Sequence, residues 1–400
     1  MNNLQSKVNS IPNWLMFLLA AACGLIVANL YYAQTLIGPI SSSIGIPLGA
    51  AGLIVTLTQV GYVVGLLFIV PLSDLIENRR LVISSLVVVI IALIGMIFAP
   101  NTATFLISAL FIGIGSVAAQ ILVPYATFLA ADEQRGRVVG NVMSGLLLGI
   151  MFARPLASLI TEYWGWREVF ILSAIVILLL AIVLSRALPQ RKPTPSLQYG
   201  ALIRSLGSLL KATPILRRRA FYQACLFGSF SLFWTVIPLR LTEYFHLTQQ
   251  GIALFALAGV AGAVAAPIAG RLADRGLTKW LSGIAIAVSA LAFLTAYLVR
   301  GDSFAALALL LVAAIVLDMG VSGNLVLGQR VIYSLGSEMR GRLNGLFMAI
   351  FFIGGAVGSF LGGWAYAYGG WALASLIGIA LPVLAFLYYL TEAKQPSGNA

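Results

Sequence analysis

Apolar residues run through this chain in long blocks separated by short polar breaks. Twelve blocks approach or exceed the roughly 20 residues a helix needs to cross a hydrocarbon core. They cover approximately 14–36, 48–72, 80–99, 103–128, 138–161, 168–187, 220–242, 251–273, 279–299, 303–327, 342–366 and 370–391. The blocks are rich in Leu, Ala and Gly, and none alternates apolar and polar positions with a period of two. That pattern argues for membrane-spanning helices and against a β-barrel. Composition agrees: 60% of the 400 residues are hydrophobic and 9% charged, against about 25% charged in a soluble domain. Mean hydropathy is +1.01. The predicted fold class is an all-α integral membrane protein of twelve transmembrane helices.

The formal net charge of +12 raises the question of a nucleic-acid partner. The placement of the charges answers it. Under an alternating topology 20 of the 24 Lys and Arg fall on one side, and only Arg154, Arg167, Arg240 and Arg300 fall elsewhere. This is the positive-inside pattern, with both termini predicted to be cytoplasmic. The basic excess therefore reflects topology and anionic membrane lipid, and no nucleic acid is expected. Cys23 and Cys225 each sit inside a span and suggest neither a disulfide framework nor a metal site. The run LAAAC ending at Cys23 faintly resembles a lipoprotein cleavage site, but the apolar block continues past it, so the first span is expected to be retained.

The chain also repeats itself. Arg135–Trp166 and Arg340–Trp371, offset by 205, share ten of 32 positions, among them Gly149/Gly354 and Trp166/Trp371. A second echo, PLSD ending at Asp74 and RLAD ending at Asp274, has an offset of 200. Two six-helix halves built from one unit are characteristic of transporters whose site lies between the repeats. The expected division is 1–187 for the first bundle, 188–219 for a linker, and 220–400 for the second bundle with a short tail. The linker carries seven basic residues and no acidic ones. Tyr199, Leu202, Ile203, Leu206, Leu209 and Leu210 recur at helical spacing, which predicts an amphipathic helix lying on the cytoplasmic leaflet and tethering the halves.

Twelve spans in two repeated halves, with GRLADRG after span eight and the degenerate copy VPLSDLIENRR after span two, resemble the major facilitator superfamily. Within it, ANLYYAQ in span one, RGRVVGNVMSG entering span five, TPILRRRAFYQACLFGSFSLFWT at span seven, DMGVSGN, RGRLNGLFM and GGAVGS are similar to the bacterial drug:proton antiporter branch. Two departures stand out. The loop motif usually reads Asp-Arg-x-Gly-Arg-Arg, whereas here Leu75 follows Asp74 and only Arg79 and Arg80 remain. The fifth-span antiporter signature usually has Gly-Pro where this chain has Arg154-Pro155. The resemblance implies a cytoplasmic gate: Asp74 with Arg79, Arg80 and Arg137 in one half, Asp274 with Arg275 and Arg342 in the other. A carboxylate at a helix end can cap a neighbouring helix or pair with a facing guanidinium.

One residue breaks the apolar pattern. Arg154 sits in GIMFARPLASLI of span five, where insertion scales price an arginine at about 2.5–3.5 kcal/mol. Its repeat counterpart is Ser359, so a half can be built without arginine there. A buried guanidinium needs an anion. Of the twelve acidic residues, only Asp318 of span ten lies well inside a span. The resembled fold lines its cavity with spans one, four, seven and ten, with span five close by, so Arg154 and Asp318 can face one another. Asp318 is the candidate proton-coupling group, its proton affinity changing as it moves nearer to or farther from Arg154; the alternative is a static salt bridge. His246, the one histidine, falls in an outer loop. Candidate cavity residues are Tyr32, Gln34, Gln59, Tyr62, Gln120, Tyr125, Gln223, Phe230, Trp234 and Asn324. An aromatic wall with a few amides suits a lipophilic ligand, although such amides also bond helix to helix.

The expected function is proton-coupled efflux of a small lipophilic drug or metabolite by a monomer in the bacterial inner membrane. The alternative is proton-coupled movement of a defined anionic or polar metabolite, with Arg154 holding it directly. A membrane sensor or enzyme is disfavoured, since no metal-ligand cluster or catalytic histidine is present. No Gly-Lys pair occurs, so no P-loop exists and the proton gradient, rather than a cofactor, is the expected energy source.

Overall fold

The computed structural model describes residues 12–130, 134–193, 198–336 and 339–392. Among them, eleven helical stretches are long and apolar enough to cross a membrane, and the last breaks in two. Spans one to six are Asn13–Gln34, Leu48–Asp74, Asn78–Ile97, Thr102–Leu129, Arg137–Trp164 and Trp166–Ala187. A helix over Tyr199–Ala212 lies in the linker. Spans seven to ten are Pro214–Glu243, Gln249–Ala273, Thr278–Leu298 and Phe304–Tyr333. Arg340–Glu392 turns sharply at Gly370, whose φ of 60° and ψ of −159° end one helix and start the next. Spans eleven and twelve are therefore 340–369 and 371–392, twelve in all. Span seven begins at Pro214, ahead of the apolar block expected from 220, because proline suits a first helical turn.

Each half packs in the same order. Span one lies on span five and span two on span four; likewise span seven lies on span eleven and span eight on span ten. Glycines let the paired backbones touch. A Cβ on Gly354 would lie 2.6 Å from Ala224 Cα of span seven, and one on Gly24 would lie 2.5 Å from the Gly145 carbonyl oxygen of span five. Between the halves, span two meets span eleven and span five meets span eight. The tightest of these contacts sit at the end away from the linker. Gly52 is pressed against Ser359 and Gly363, Thr56 Oγ1 donates to the Ala356 carbonyl at 3.2 Å, and the Gln250 N–H donates to Glu162 at 3.1 Å.

Three spans lose regular helix where the halves meet. Span one is α-helical only to Ala28, then passes through a turn to a 3-10 segment at Tyr32–Gln34. The carbonyls freed there are not left bare: Asn29 Nδ2 donates to Leu25 and Ile26, while Ser173 Oγ donates to Asn29 Oδ1 at 2.6 Å. Such backbone is tolerated at membrane depth only when protein covers it. Span two passes through a π turn at Gly65–Ile69 into a 3-10 turn ending at Asp74. Span eight tightens to 3-10 at Leu257–Gly259.

The linker helix turns part of its apolar stripe to the bundle: Leu202 and Leu206 are buried against the protein, while Ile203, Leu209 and Leu210 are half-buried. Tyr199 Oη donates to the Phe68 carbonyl at 2.9 Å, and Arg342 Nη1 donates to Ser205 Oγ at 3.1 Å. Periodicity shows that such a face needs an apolar partner, and here the bundle supplies it.

Gly354→Ala is expected to force spans seven and eleven apart, costing about 1–3 kcal/mol by overpacking. Gly345→Ala, whose Cβ would meet nothing within 4 Å, should be neutral. Thermal unfolding of the detergent-solubilised protein checks the contrast: a lowered midpoint for the first and an unchanged one for the second.

Candidate functional site

Span five is one uninterrupted helix and carries Arg154 into the interface between the halves. The side chain is 2% exposed, and Asp318, delivered by span ten, is 4% exposed. Arg154 Nη1 stands 3.9 Å from Asp318 Oδ2. That is an ion pair, but too long for a hydrogen bond. Each ion is oriented by something else. Arg154 Nε donates to Gln34 Oε1 at 2.9 Å, and Trp234 Nε1 donates to Asp318 Oδ1 at 3.0 Å. The guanidinium lies over three rings: Trp234 at 4.2 Å, Phe230 at 4.9 Å and Tyr31 at 5.6 Å from the centroids. Cation–π attraction of this kind strengthens when the site is dry.

The local folding of span one explains Gln34 and Tyr31. Had the α-helix continued past Ala28, these side chains would be set by a 3.6-residue period; the turn and 3-10 segment redirect them. Gln34 Nε2 keeps no partner, so one amide donor beside the charge pair is unused.

Other candidates fall into three groups. Gln59 Nε2 donates to Ser231 Oγ at 2.8 Å, and Ser231 Oγ shares a 2.6 Å hydrogen bond with Ser359 Oγ. Tyr62 packs on Phe352 with ring centroids 4.5 Å apart and tilted by 54°, with Gln120 beside its hydroxyl. Phe352 belongs to an aromatic group with Phe227, Phe351 and Phe230, in which Phe227 and Phe351 stack at 3.8 Å. Gln223 and Asn324 form a buried amide pair at 2.7 Å, and Gln223 also donates to the Val321 carbonyl at 3.2 Å. Tyr32 is half-buried in the 3-10 segment.

Tyr125 departs from expectation. Its hydroxyl donates to the Pro189 carbonyl at the start of the linker, so it belongs to the linker end and not to the central cluster.

The gate is also built differently. Arg79 Nη1 donates to the Leu188 carbonyl at 3.3 Å, and Arg80 pairs with Glu77 at 3.1 Å. The linker segment that follows span six lies against the start of span three, where the Asn78 N–H donates to the Arg191 carbonyl at 3.1 Å. Asp74 instead lies within electrostatic reach of Arg191 and Arg342. Arg342, on span eleven, therefore reaches the first half's carboxylate across the interface. Arg137 and Arg275 are exposed, and the side chain of Asp274 lies outside the described residues.

Tyr31, Ser231 and Gly259 were missed. Tyr31 lies in the stretch ANLYYAQ, next to the candidate Tyr32. Ser231 is one helical turn from Trp234, and a serine within a span carries no distinctive signal. Gly259, with no side chain, carries no signal at all. Among the described residues no group of three or more His, Cys, Asp or Glu converges that could hold a metal. The arrangement can hold a proton on a carboxyl, sense a charge across an interface, and present aromatic faces to a ligand.

Comparison with known proteins places this architecture. The profile described as Major Facilitator Superfamily matches residues 15–275 and 219–400. The chain is 37% identical over 379 residues to "Uncharacterized transporter YgaY" of Escherichia coli O157:H7, covering 94% of each chain. It is 22% identical over 386 residues to the "Probable sugar efflux transporter" of Mannheimia succiniciproducens, covering 96% of this chain and 94% of that one. Among solved structures, a bacterial homologue of the human lysosomal transporter Spinster, inward-facing and unoccupied, superposes with a TM-score of 0.77 at 14% identity, covering 96% and 98% of the two chains.

Trp234→Phe is expected to keep a ring over Arg154 and remove the donor to Asp318. A hydrogen bond to a charged group contributes about 1.5–3 kcal/mol, and one to a neutral group about 0.5–1.5 kcal/mol. The destabilisation should therefore shrink when Trp234→Phe is made in an Asp318→Asn background, as a double-mutant cycle of unfolding midpoints at neutral pH would show. Equal losses in both backgrounds would mean that the indole does not act through the carboxylate.

Proposed function

This chain belongs to the major facilitator superfamily, and from that membership we propose that it exports a small lipophilic molecule in exchange for protons, by alternating access. Asp318 carries the proton and Arg154 senses it. The observation that supports this reading is the buried pair itself: a carboxylate of the second half and a guanidinium of the first, 3.9 Å apart. A proton on Asp318 cancels the charge that attracts Arg154 across the interface, so proton binding and the relative position of the halves become linked. The substrate binds among Tyr62, Phe227, Phe230, Phe351 and Phe352, whose faces suit an apolar or aromatic solute. The proton gradient is the energy source and no cofactor takes part. The protein acts as a monomer in the bacterial inner membrane, with both termini cytoplasmic as the distribution of basic residues favours.

A second reading has its own support. The spacing to Asp318 is beyond hydrogen-bond length and Gln34 engages only Nε, so the terminal nitrogens of Arg154 keep capacity for an anionic or polar solute. A relative named for sugar efflux is consistent with a polar substrate. Ligand charge separates the two: a cation is drawn to Asp318 and repelled by Arg154, an anion the reverse.

The test is ethidium efflux from energised cells overexpressing the protein, with and without an uncoupler, beside Arg154→Ala and Asp318→Asn. The expected result is efflux that stops with uncoupler and is lost in both variants at wild-type membrane levels. Undiminished uphill export by Asp318→Asn would remove the proton assignment. Absence of export from membrane-inserted wild type would favour the polar or anionic substrate.

A further inference from the structure

The internal repeat relates the two places where the halves cross. At the offset of 200 that aligns Asp74 with Asp274, Gln59 of span two corresponds to Gly259 of span eight; at 205, Arg154 corresponds to Ser359. Spans two and eleven meet at one crossing, spans five and eight at the other. The same two repeat positions therefore meet twice, once as Gln59 with Ser359 through Ser231 and once as Arg154 with Gly259. In each case the first half sends in a long polar side chain and the second half answers with a small residue.

Gly259 is small for a specific reason. A Cβ built on it would stand 3.0 Å from Arg154 Nη1 and 3.1 Å from Asp318 Oδ2. Those are the two atoms whose separation is 3.9 Å, and at 3.0 and 3.1 Å each would have to give by a few tenths of an ångström to admit a methyl group. Its φ of −59° and ψ of −19° are open to any residue, so the backbone does not require glycine here. What favours it is the narrow space beside the two charges. Around Asp318 the charged or titratable neighbours are Arg154 of span five and Tyr31 of span one, with Trp234 of span seven as hydrogen-bond donor.

We infer that Gly259 is a positioning residue of the charge pair: its missing side chain lets span eight lie flush on Arg154 and Asp318 and sets the distance at which they sense each other. The inference rests on the reading of Asp318 as proton carrier. Any side chain at 259 acts as a wedge against both ions at once.

Two measurements on the purified full-length protein test it. The first is an infrared titration that follows the carboxyl band absent from Asp318→Asn. Gly259→Ala should move the midpoint of that band by about half a pH unit or more, through the changed distance to a charge. Gly270→Ala, whose Cβ would meet nothing closer than Val326 Cγ1 at 3.8 Å, should leave it in place. A folded Gly259→Ala with the wild-type midpoint overturns the inference. The second is a melting cycle, which holds even if Gly259→Ala folds poorly. The loss from Gly259→Ala should shrink in an Arg154→Ser background, where the wedge meets only the carboxylate; an undiminished loss there overturns the inference too. If no band is lost in Asp318→Asn, the proton assignment fails on its own, and the melting cycle still decides the role of Gly259.

Discussion

Everything central in this molecule depends on a guanidinium and a carboxylate placed in hydrocarbon, one on each half. Neither ion is tolerable alone: breaking a buried pair costs about 3–5 kcal/mol because a charge is left uncompensated. The fold meets that constraint with several local irregularities. Span one stops being helical at Ala28 so that Gln34 and Tyr31 reach Arg154. Span seven places Trp234 so that one indole lies over the cation and donates to the anion. Span eight narrows to a 3-10 turn with glycine against the pair. Spans one, five, seven, eight and ten thus converge on the one pair.

The second crossing shows what the same architecture does without charge. Gln59, Ser231 and Ser359 are linked by neutral hydrogen bonds at 2.8 and 2.6 Å. Ser231 and Trp234 lie one turn apart on span seven, so that span receives both side chains of the first half. Only one of the two crossings carries a group that can change charge. In the proposed cycle, proton binding acts on the Arg154 side, while the Gln59 side answers to packing and to whatever occupies the aromatic group next to it. At the linker end, Asp74 with Arg191 and Arg342, together with the linker helix, joins the same two halves by different contacts.

Much of this was legible in the sequence. Long apolar blocks and the offset of 205 are enough for twelve spans in two related halves, because a helix in lipid must be long, apolar and internally bonded. Arg154 and Asp318 stood out for the same reason: a charge in such a block is costly enough to need a purpose. What the sequence could not show is where helices stop being regular. Arg79 and Arg80 looked like partners of Asp74, yet the linker's own carbonyl captures one and Glu77 the other. Tyr125 looked like a cavity residue, but only the path of the chain after span six reveals that Pro189 waits for its hydroxyl. Leu202 and Leu206 demanded an apolar cover without saying whether lipid or protein provides it. Gly259 was invisible, because the absence of a side chain has meaning only once its neighbours are known.

The central claim is that protonation of Asp318 frees the two halves from one another. It is tested most directly by the distance between spin labels at Tyr163 and Leu254, exposed positions toward the far ends of spans five and eight, in a background lacking Cys23 and Cys225. Pulsed electron resonance on protein in lipid nanodiscs would read that distance at neutral and acidic pH. The account predicts a distribution that lengthens on acidification in the wild type and is already long, and indifferent to pH, in Asp318→Asn. The same pH response in both proteins would contradict it.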